Sequence, residues 1–101
     1  MYKKLVENFK LNPRDVHTVP IARKDFKWFY VFTNNDNLYV ESAHYHNPKC
    51  SVKIRLLQEK ECNEILSLYH RRSCGEQISA EAQACTHSQV YWYGIFAELN
   101  L

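Results

Sequence analysis

The sequence predicts an α+β protein, in which a three-stranded antiparallel sheet is followed by two main helices with a short helix between them. Residues 26–33 and 38–46 are rich in strand formers and are separated by an Asn-Asn-Asp-Asn turn. Residues 50–56 alternate between apolar and polar side chains, whereas residues 59–99 show helical periodicity. Strands that precede helices in this segregated order are typical of the α+β class.

The chain has 101 residues and a mass of 12.0 kDa, which predicts one domain over residues 1–101 because a second core would have too little chain to bury. We divide it into a basic N-terminal arm (1–25), strands (26–56) and helices (59–99). The first 27 residues hold seven bases and three acids, although the net charge of the whole chain is only +2. That total is too small to require a nucleic-acid or membrane partner.

The hairpin is the clearest predicted element. Pairing of Asn34 with Asn37 sets its register, because side chains alternate between the two faces of a strand. One face carries Phe26, Trp28, Tyr30, Phe32, Tyr39, Glu41, Ala43 and Tyr45. The other carries Phe29, Val31, Leu38, Val40, Ser42, His44 and His46. Both faces are apolar enough to need cover.

The remaining elements follow from periodicity. Residues 50–56 predict a one-sided strand whose inward residues are Val52, Ile54 and Leu56. Apolar residues at helical spacing then predict helices over 59–72, 79–84 and 88–99, and Gly75 is expected to end the first of them. The inward residues of the two long helices are expected to be Cys62, Ile65, Leu66, Tyr69, Trp92, Ile95, Phe96 and Leu99.

Several classes of function are excluded. Gly75 and Gly94 are the only glycines and lie far apart, so the chain holds no Walker loop and no dinucleotide-binding fingerprint. The four cysteines form no Cys-x-x-Cys pair, and we predict no cofactor. No apolar run is long enough for a membrane helix, and no secretory signal follows the start. We therefore expect a cytoplasmic protein with reduced thiols.

His44 and His46 form the first candidate site, since residues two apart on a strand share a face. With Cys50 they could supply zinc ligands, but they could equally be half-buried polar residues of the strand. Because a structural zinc site needs a closed set of ligands, we predict no metal here.

His70, Arg71 and Arg72 form the second candidate site, near Glu76. Two arginines can grip a phosphate or carboxylate, and a histidine can act as a base near neutral pH. The alternative is a helix end whose cations complement the helix dipole. No nucleophile with an orienting acid can be named, so we assign no catalytic residue.

The aromatic residues form the third candidate surface. The chain contains two tryptophans, seven tyrosines and five phenylalanines, more than one sheet face needs. We expect the N-terminal arm or a second copy of the chain to cover the surplus, with a ligand pocket and stacking of nucleic-acid bases as alternatives. The expected interface residues are Trp28, Tyr30, Tyr39, Tyr45, Tyr91 and Tyr93.

Residues 75–82 and 89–95, Gly-Glu-Gln-Ile-Ser-Ala-Glu-Ala and Gln-Val-Tyr-Trp-Tyr-Gly-Ile, resemble the tails of small proteins carried on bacterial mobile (integron-type) gene cassettes. The resemblance covers the last third of the chain. It implies a bacterial cytosolic α+β protein that is often homo-oligomeric and sometimes holds a small-molecule pocket, and it assigns no functional residue.

The sequence thus favours a small non-catalytic binding or protein-interaction module that forms a homodimer. The ligand-binding candidates are His44, His46, His70, Arg71 and Arg72. The alternative is a nucleic-acid-associated accessory protein that uses the basic arm with Arg71 and Arg72. A third possibility is an enzyme that uses His44, His46 or His70 in a pocket.

Overall fold

The computed structural model describes residues 1–21, 25–47 and 51–101. Within these ranges the elements are α1 (Tyr2–Leu11), β1 (Arg14–His17), β2 (Trp28–Asn34), β3 (Asn37–Ser42), β4 (Arg55–Leu57), α2 (Glu59–Ser73), α3 (Ser79–Cys85) and α4 (Gln89–Glu98). The predicted α+β class is confirmed. The sheet, however, has four strands rather than three, in the antiparallel order β1-β2-β3-β4.

The central hairpin of β2 and β3 has the predicted register. Asn34 pairs with Asn37, and the two turn residues Asn35 and Asp36 have φ angles of 51° and 60°. Asparagine and aspartate tolerate this left-handed region better than other side chains, which is why the turn closes here.

One face of the sheet forms the core. Phe29, Val31, Leu38 and Val40 point to this face and are buried under the helices. Helix α1 contacts β2 and β3, whereas α4 contacts β1 and packs against α2. The helices thus leave the opposite face, which we call the outer face, without a helical layer.

The predicted N-terminal arm is wrong, because most of it belongs to the folded core. Tyr2, Leu5, Val6 and Phe9 form a buried stripe along α1, and β1 then adds the fourth strand to the sheet. Of the basic residues that suggested a solvated arm, Lys3, Lys4 and Lys10 lie on the exposed side of this amphipathic helix, and Arg14 lies on β1.

The predicted inward side of the third strand, the one expected over residues 50–56, is also wrong. The strand in that region is only Arg55–Leu57, and its inward residue is Leu57, which pairs with Leu38. Leu56 and Ile54 are 41% and 65% exposed. The Tyr2 hydroxyl selects this phase, since it donates to the Leu57 carbonyl oxygen at 2.6 Å and accepts from the Leu38 N–H at 2.8 Å.

The helices follow the predicted periodicity closely. Helix α2 ends at Ser73, and the φ of 90° at Gly75 lets the Glu76 N–H reach back to the Arg71 carbonyl oxygen at 3.1 Å. Before α4, the Ser88 N–H is capped by the Thr86 hydroxyl at 3.0 Å. The Gln89 side-chain oxygen has no partner within the described chain.

Candidate functional site

Asp15 organises the outer face of the sheet. Its side chain is 2% exposed, and its carboxylate accepts hydrogen bonds from the backbone N–H groups of His44, Tyr45 and His46 at 2.8–2.9 Å. The His46 Nδ1 lies 2.9 Å from the same carboxylate. Burial alone would raise the pKa of Asp15, but these hydrogen bonds outweigh it and hold the pKa below its usual 3.8.

The loop anchored by Asp15 lays two imidazole rings on the outer face. His44 stacks on Tyr30 with ring centroids 3.5 Å apart, and His46 stacks on Trp28 at 3.6 Å. The His44 Nε2 also lies 2.7 Å from a carboxylate oxygen of Glu41. Both histidines therefore contribute to the cover of the aromatic face.

The predicted position of His44 and His46 is wrong. Strand β3 ends at Ser42, so the two histidines do not continue the alternation onto the core face. The chain bends back over the outer face because Asp15 binds the backbone N–H groups that a longer strand would have used in its ladder. Cys50, their proposed zinc-ligand partner, lies outside the described residues. In residues 1–21, 25–47 and 51–101 no cluster of His, Cys, Asp or Glu could hold a metal ion.

Part of the outer face has no cover from the described chain. Phe32 and Tyr39 stack there with ring centroids 5.6 Å apart, beside the exposed Leu56. Tyr45, at the edge of the anchored loop, is 79% exposed. Contiguous exposed apolar patches on a protein surface often mark contact surfaces.

A cavity of about 320 Å³ lies between the sheet and the helices. One wall comes from the ends of β1 and β2 and the residues beside them, chiefly Val19, Trp28 and Phe29. The opposite wall comes from Val90, Tyr91 and Tyr93 of α4, Arg72 of α2 and Val52. Its lining is predominantly apolar, and the volume is within the range of small-molecule sites.

Arg72 and its neighbour Arg71 have opposite environments. Arg71 forms a bidentate pair with Glu81 at 2.7 and 3.0 Å and a further ion pair with Glu76 at 3.1 Å. These two carboxylates raise the pKa of Arg71 far above its usual value. Arg72, by contrast, donates to the Val19 carbonyl oxygen and lies 4.6 Å from the centre of the Tyr93 ring. It has no carboxylate partner within the described residues.

Tyr93 contributes a second polar group beside Arg72. The side chain is 6% exposed, and its hydroxyl has no hydrogen-bond partner among the described residues. Burial raises the pKa of Tyr93, and the Arg72 guanidinium opposes that rise in part. The phenol is therefore neutral at physiological pH and can donate a hydrogen bond.

The structure separates the predicted ligand-binding residues. Arg72 lines the cavity, whereas Arg71 is engaged by glutamates and His70 is exposed on α2 beside Tyr69. His44 and His46 lie on the outer face. The histidines and arginines do not meet in one cleft.

The predicted interface residues also fall into separate environments. Tyr30 and Tyr39 are half-buried on the outer face. Trp28 and Tyr91 line the cavity, and Tyr91 packs edge-on against Phe29 at 5.1 Å. Tyr93 is buried inside the folded chain, which removes it from the predicted interface.

Sequence reasoning gave no functional role to Asp15, Val19 or Val52, although it did predict that Val52 points inward. Asp15 lies 29 to 31 residues from the N–H groups that it accepts, so no local spacing indicates the contact. Val52 reaches the cavity because its backbone N–H and carbonyl group both bond to the Ser42 hydroxyl.

Cys62 and Cys85 do not form a second chemical site. Burial raises the pKa of Cys62 and of Cys85 to about 11, so neither thiol is an activated nucleophile at neutral pH. Near the N-terminus, Arg14 pairs with Glu98 at 2.9 Å and Lys10 with Asp36 at 3.4 Å. Within the described part of the chain, no helix has the length and hydropathy to cross a membrane.

The fold and the site together define an α+β domain with a four-stranded meander, helices on one face and a lateral cavity between the two layers. Comparisons with protein-family models, with curated proteins and with solved structures find no match to this chain. The cassette-protein resemblance of residues 75–95 therefore stays a prediction.

Proposed function

We propose that this protein is a non-catalytic binding module that takes up a small, mainly apolar molecule in the cavity between β1–β2 and α4. The observation that carries this proposal is a cavity of about 320 Å³ whose walls are apolar and whose polar groups are few. Sites of this composition gain binding energy from apolar burial and orientation from a small number of polar contacts.

The cavity is preformed, because the side chains of its walls already pack against other residues of the chain. Phe29 is fully buried in the sheet, Tyr91 packs against it, and Tyr93 contacts Tyr69 at 5.7 Å. A ligand would therefore meet ordered side chains and would not have to order them itself, which lowers the entropic cost of binding.

Indole is a suitable neutral probe, because it is flat, apolar and small enough for the cavity. We expect a titration followed by NMR to shift the amide signals of Val19, Val52 and Val90. The variant Val90→Trp, which adds bulk at the half-exposed cavity wall, should abolish these shifts. The control Leu11→Trp adds the same ring to an exposed position on α1 and should leave them unchanged.

Two results would overturn the proposal. One is the absence of any shift at millimolar indole. The other is a set of shifts that is equally large in the Val90→Trp variant, which would place the probe elsewhere on the molecule.

Self-association is a second candidate property, favoured by the uncovered patch of Phe32, Tyr39 and Leu56. The charged groups of the outer face are already paired in place, Glu41 with His44 and Asp15 with His46. Two copies could therefore meet through this patch without setting Glu41 or Asp15 of one copy against an equal unpaired charge of the other, and a twofold interface uses the same patch on both copies.

Sedimentation velocity at micromolar concentration tests this second candidate. We expect a dimer for the wild-type chain and a monomer for Tyr39→Glu, with Leu11→Glu as the control on the opposite, helical side of the molecule. A wild-type monomer at these concentrations would refute self-association and leave the cavity proposal intact.

The nucleic-acid alternative has weaker support. Arg71 is engaged by two carboxylates and Arg72 lines the cavity, so the two do not combine into a phosphate grip. Single-strand DNA binding that falls steeply with salt would favour this alternative over an apolar cavity.

A further inference from the structure

We propose that the ligand of the cavity is a small organic monoanion, an aromatic or branched carboxylate whose charged group pairs with Arg72. This inference rests on the proposed binding function and specifies the chemical class of the ligand. Its basis is a cation that lines a mainly apolar cavity and has no carboxylate partner among the described residues.

Of the two adjacent arginines at the end of α2, only Arg72 lacks a carboxylate partner within the described chain. The neighbouring Arg71 is held by Glu76 and Glu81, so the end of α2 does pair arginine with carboxylates where they are available. Arg72 has only the Val19 carbonyl oxygen and the Tyr93 ring as partners among the described residues. The six other residues of the chain, 22–24 and 48–50, contain no acidic side chain.

An unpaired guanidinium in apolar surroundings is poorly compensated, because burial weakens its hydration. Its planar fork carries five N–H donors, and the Val19 carbonyl oxygen is the sole acceptor among the described residues. The fork matches the two oxygens of a carboxylate, which would supply both the missing charge and the missing acceptors.

The Val19 bond and the Tyr93 ring hold the guanidinium at the cavity wall. A group fixed in this way loses little conformational freedom when a ligand arrives. The buried Tyr93 hydroxyl lies on the same wall and has no partner within the described chain, so it is the second polar group available there.

The remaining residues of the lining determine which uncharged skeleton the ligand can have. Phe29, Tyr91 and Val90 present rings and a branched aliphatic group, which favour a flat or branched apolar skeleton. Asp25 also lines the cavity, and its carboxylate disfavours a doubly charged ligand. Lys27 lines the cavity as well, so Arg72, Lys27 and Asp25 together give the lining a formal charge of +1, which matches a carboxylate better than a doubly charged phosphate monoester.

Matched pairs of acids and neutral amides test this inference directly. We would titrate the wild-type chain with indole-3-acetate and indole-3-acetamide, and with benzoate and benzamide, and follow the amide signals of the cavity residues. Within each pair the shape is nearly constant, and only the charge changes. We expect the acid to bind on the order of tenfold more tightly than the amide, since hydrogen bonds to charged groups are the stronger kind.

Variants of the two adjacent arginines locate the effect. In Arg72→Gln the preference for the acid should fall below about threefold, whereas Arg72→Lys, which keeps the charge, should retain part of it. The control Arg71→Gln removes an equal charge one residue away and should leave the preference unchanged.

The outcomes separate the two proposals. Equal affinity for acid and amide in the wild-type chain would overturn the anion inference and leave the binding function standing. Binding of neither member of any pair would overturn both. An acid preference that Arg71→Gln abolishes and Arg72→Gln preserves would assign the charge effect to another site and also refute the inference. If Arg72→Gln fails to fold, Arg72→Lys tests the same assignment, because a full wild-type preference in that variant would contradict the role of the guanidinium fork.

Discussion

Asp15 shows how one buried carboxylate can determine the course of a loop. Three successive N–H groups and one imidazole nitrogen converge on its two oxygens, which satisfies a charge that burial would otherwise penalise. Since the same contacts bring His44 and His46 over Tyr30 and Trp28, Asp15 also controls how much of the outer face is covered.

We expect Asp15→Asn to lower the free energy of unfolding by about 2–3 kcal/mol, because the amide has one acceptor oxygen instead of two and carries no charge. Urea unfolding followed by circular dichroism measures this loss. The control Asp36→Asn removes an exposed carboxylate paired with Lys10 and should change stability by less than about 0.5 kcal/mol. Equal effects of the two substitutions would contradict the anchoring role of Asp15.

The stability that Asp15 provides should depend on pH in a defined direction. Because the folded state lowers its pKa below the usual 3.8, the carboxylate contributes fully above that value. The contribution is lost as the pH falls below 3.8 through the folded-state pKa. The difference in unfolding free energy between the wild-type chain and Asp15→Asn should therefore be constant from pH 5 to 7 and shrink towards pH 2. A difference that grows on acidification would have the wrong sign.

At the scale of single residues, local patterns could predict the hairpin and not the anchor. Asn35 and Asp36 adopt the left-handed conformation that their types favour, and Trp28 and Phe29 lie on opposite faces as alternation requires. The Asp15 contacts join segments about 30 residues apart, and chain spacing carries no information on such pairs.

At the scale of elements, the approach of α4 to β1 depends on Gly94. A Cβ atom at this position would lie 2.6 Å from the His17 carbonyl oxygen and 3.0 Å from the Phe29 ring. Backbone atoms of a paired strand cannot give way as a flexible side chain can. The absence of a side chain at Gly94 therefore sets the distance between the helix layer and the edge of the sheet.

We expect Gly94→Ala to destabilise the protein by about 1–3 kcal/mol through overpacking, even though alanine is the better helix former. Thermal or urea unfolding measures the loss. The control Ser67→Ala introduces alanine at an exposed position of α2 and should be neutral or slightly stabilising. A stabilised Gly94→Ala variant would mean that helix propensity outweighs the close contact.

Strand β4 shows where apolar periodicity fails to predict which side chains point inward. Leu56 and Leu57 are adjacent, so an alternating pattern can place either one inward. The choice falls on Leu57 because it pairs with Leu38 in the core and because Tyr2 binds its carbonyl group. A partner 55 residues away thus decides the phase of a three-residue strand.

At the scale of the whole molecule, the N-terminal segment belongs to the core. Helix α1 packs on β2 and β3, and the ring of Phe9 is fully buried. We expect Phe9→Ala to lower the free energy of unfolding by about 3–5 kcal/mol, the usual cost of deleting a buried aromatic ring. Chemical denaturation with circular dichroism detection measures it.

The matched control is Leu11→Ala, two residues further along the same helix. Leu11 is almost fully exposed, so its truncation should change stability by less than about 0.5 kcal/mol. A small effect of Phe9→Ala would restore the interpretation of residues 1–25 as a solvated arm.

The sequence by itself determined the α+β class, the hairpin register and the positions of α2, α3 and α4. These features depend on local backbone preferences and on the periodicity of apolar residues, both of which act between near neighbours in the chain. Only the tertiary structure decided the place of α1 and β1 in the core, the phase of β4, the loop over the outer face and the cavity beside Arg72. Each of these depends on contacts between distant segments, where burial and hydrogen bonding select one arrangement among several that the local pattern allows.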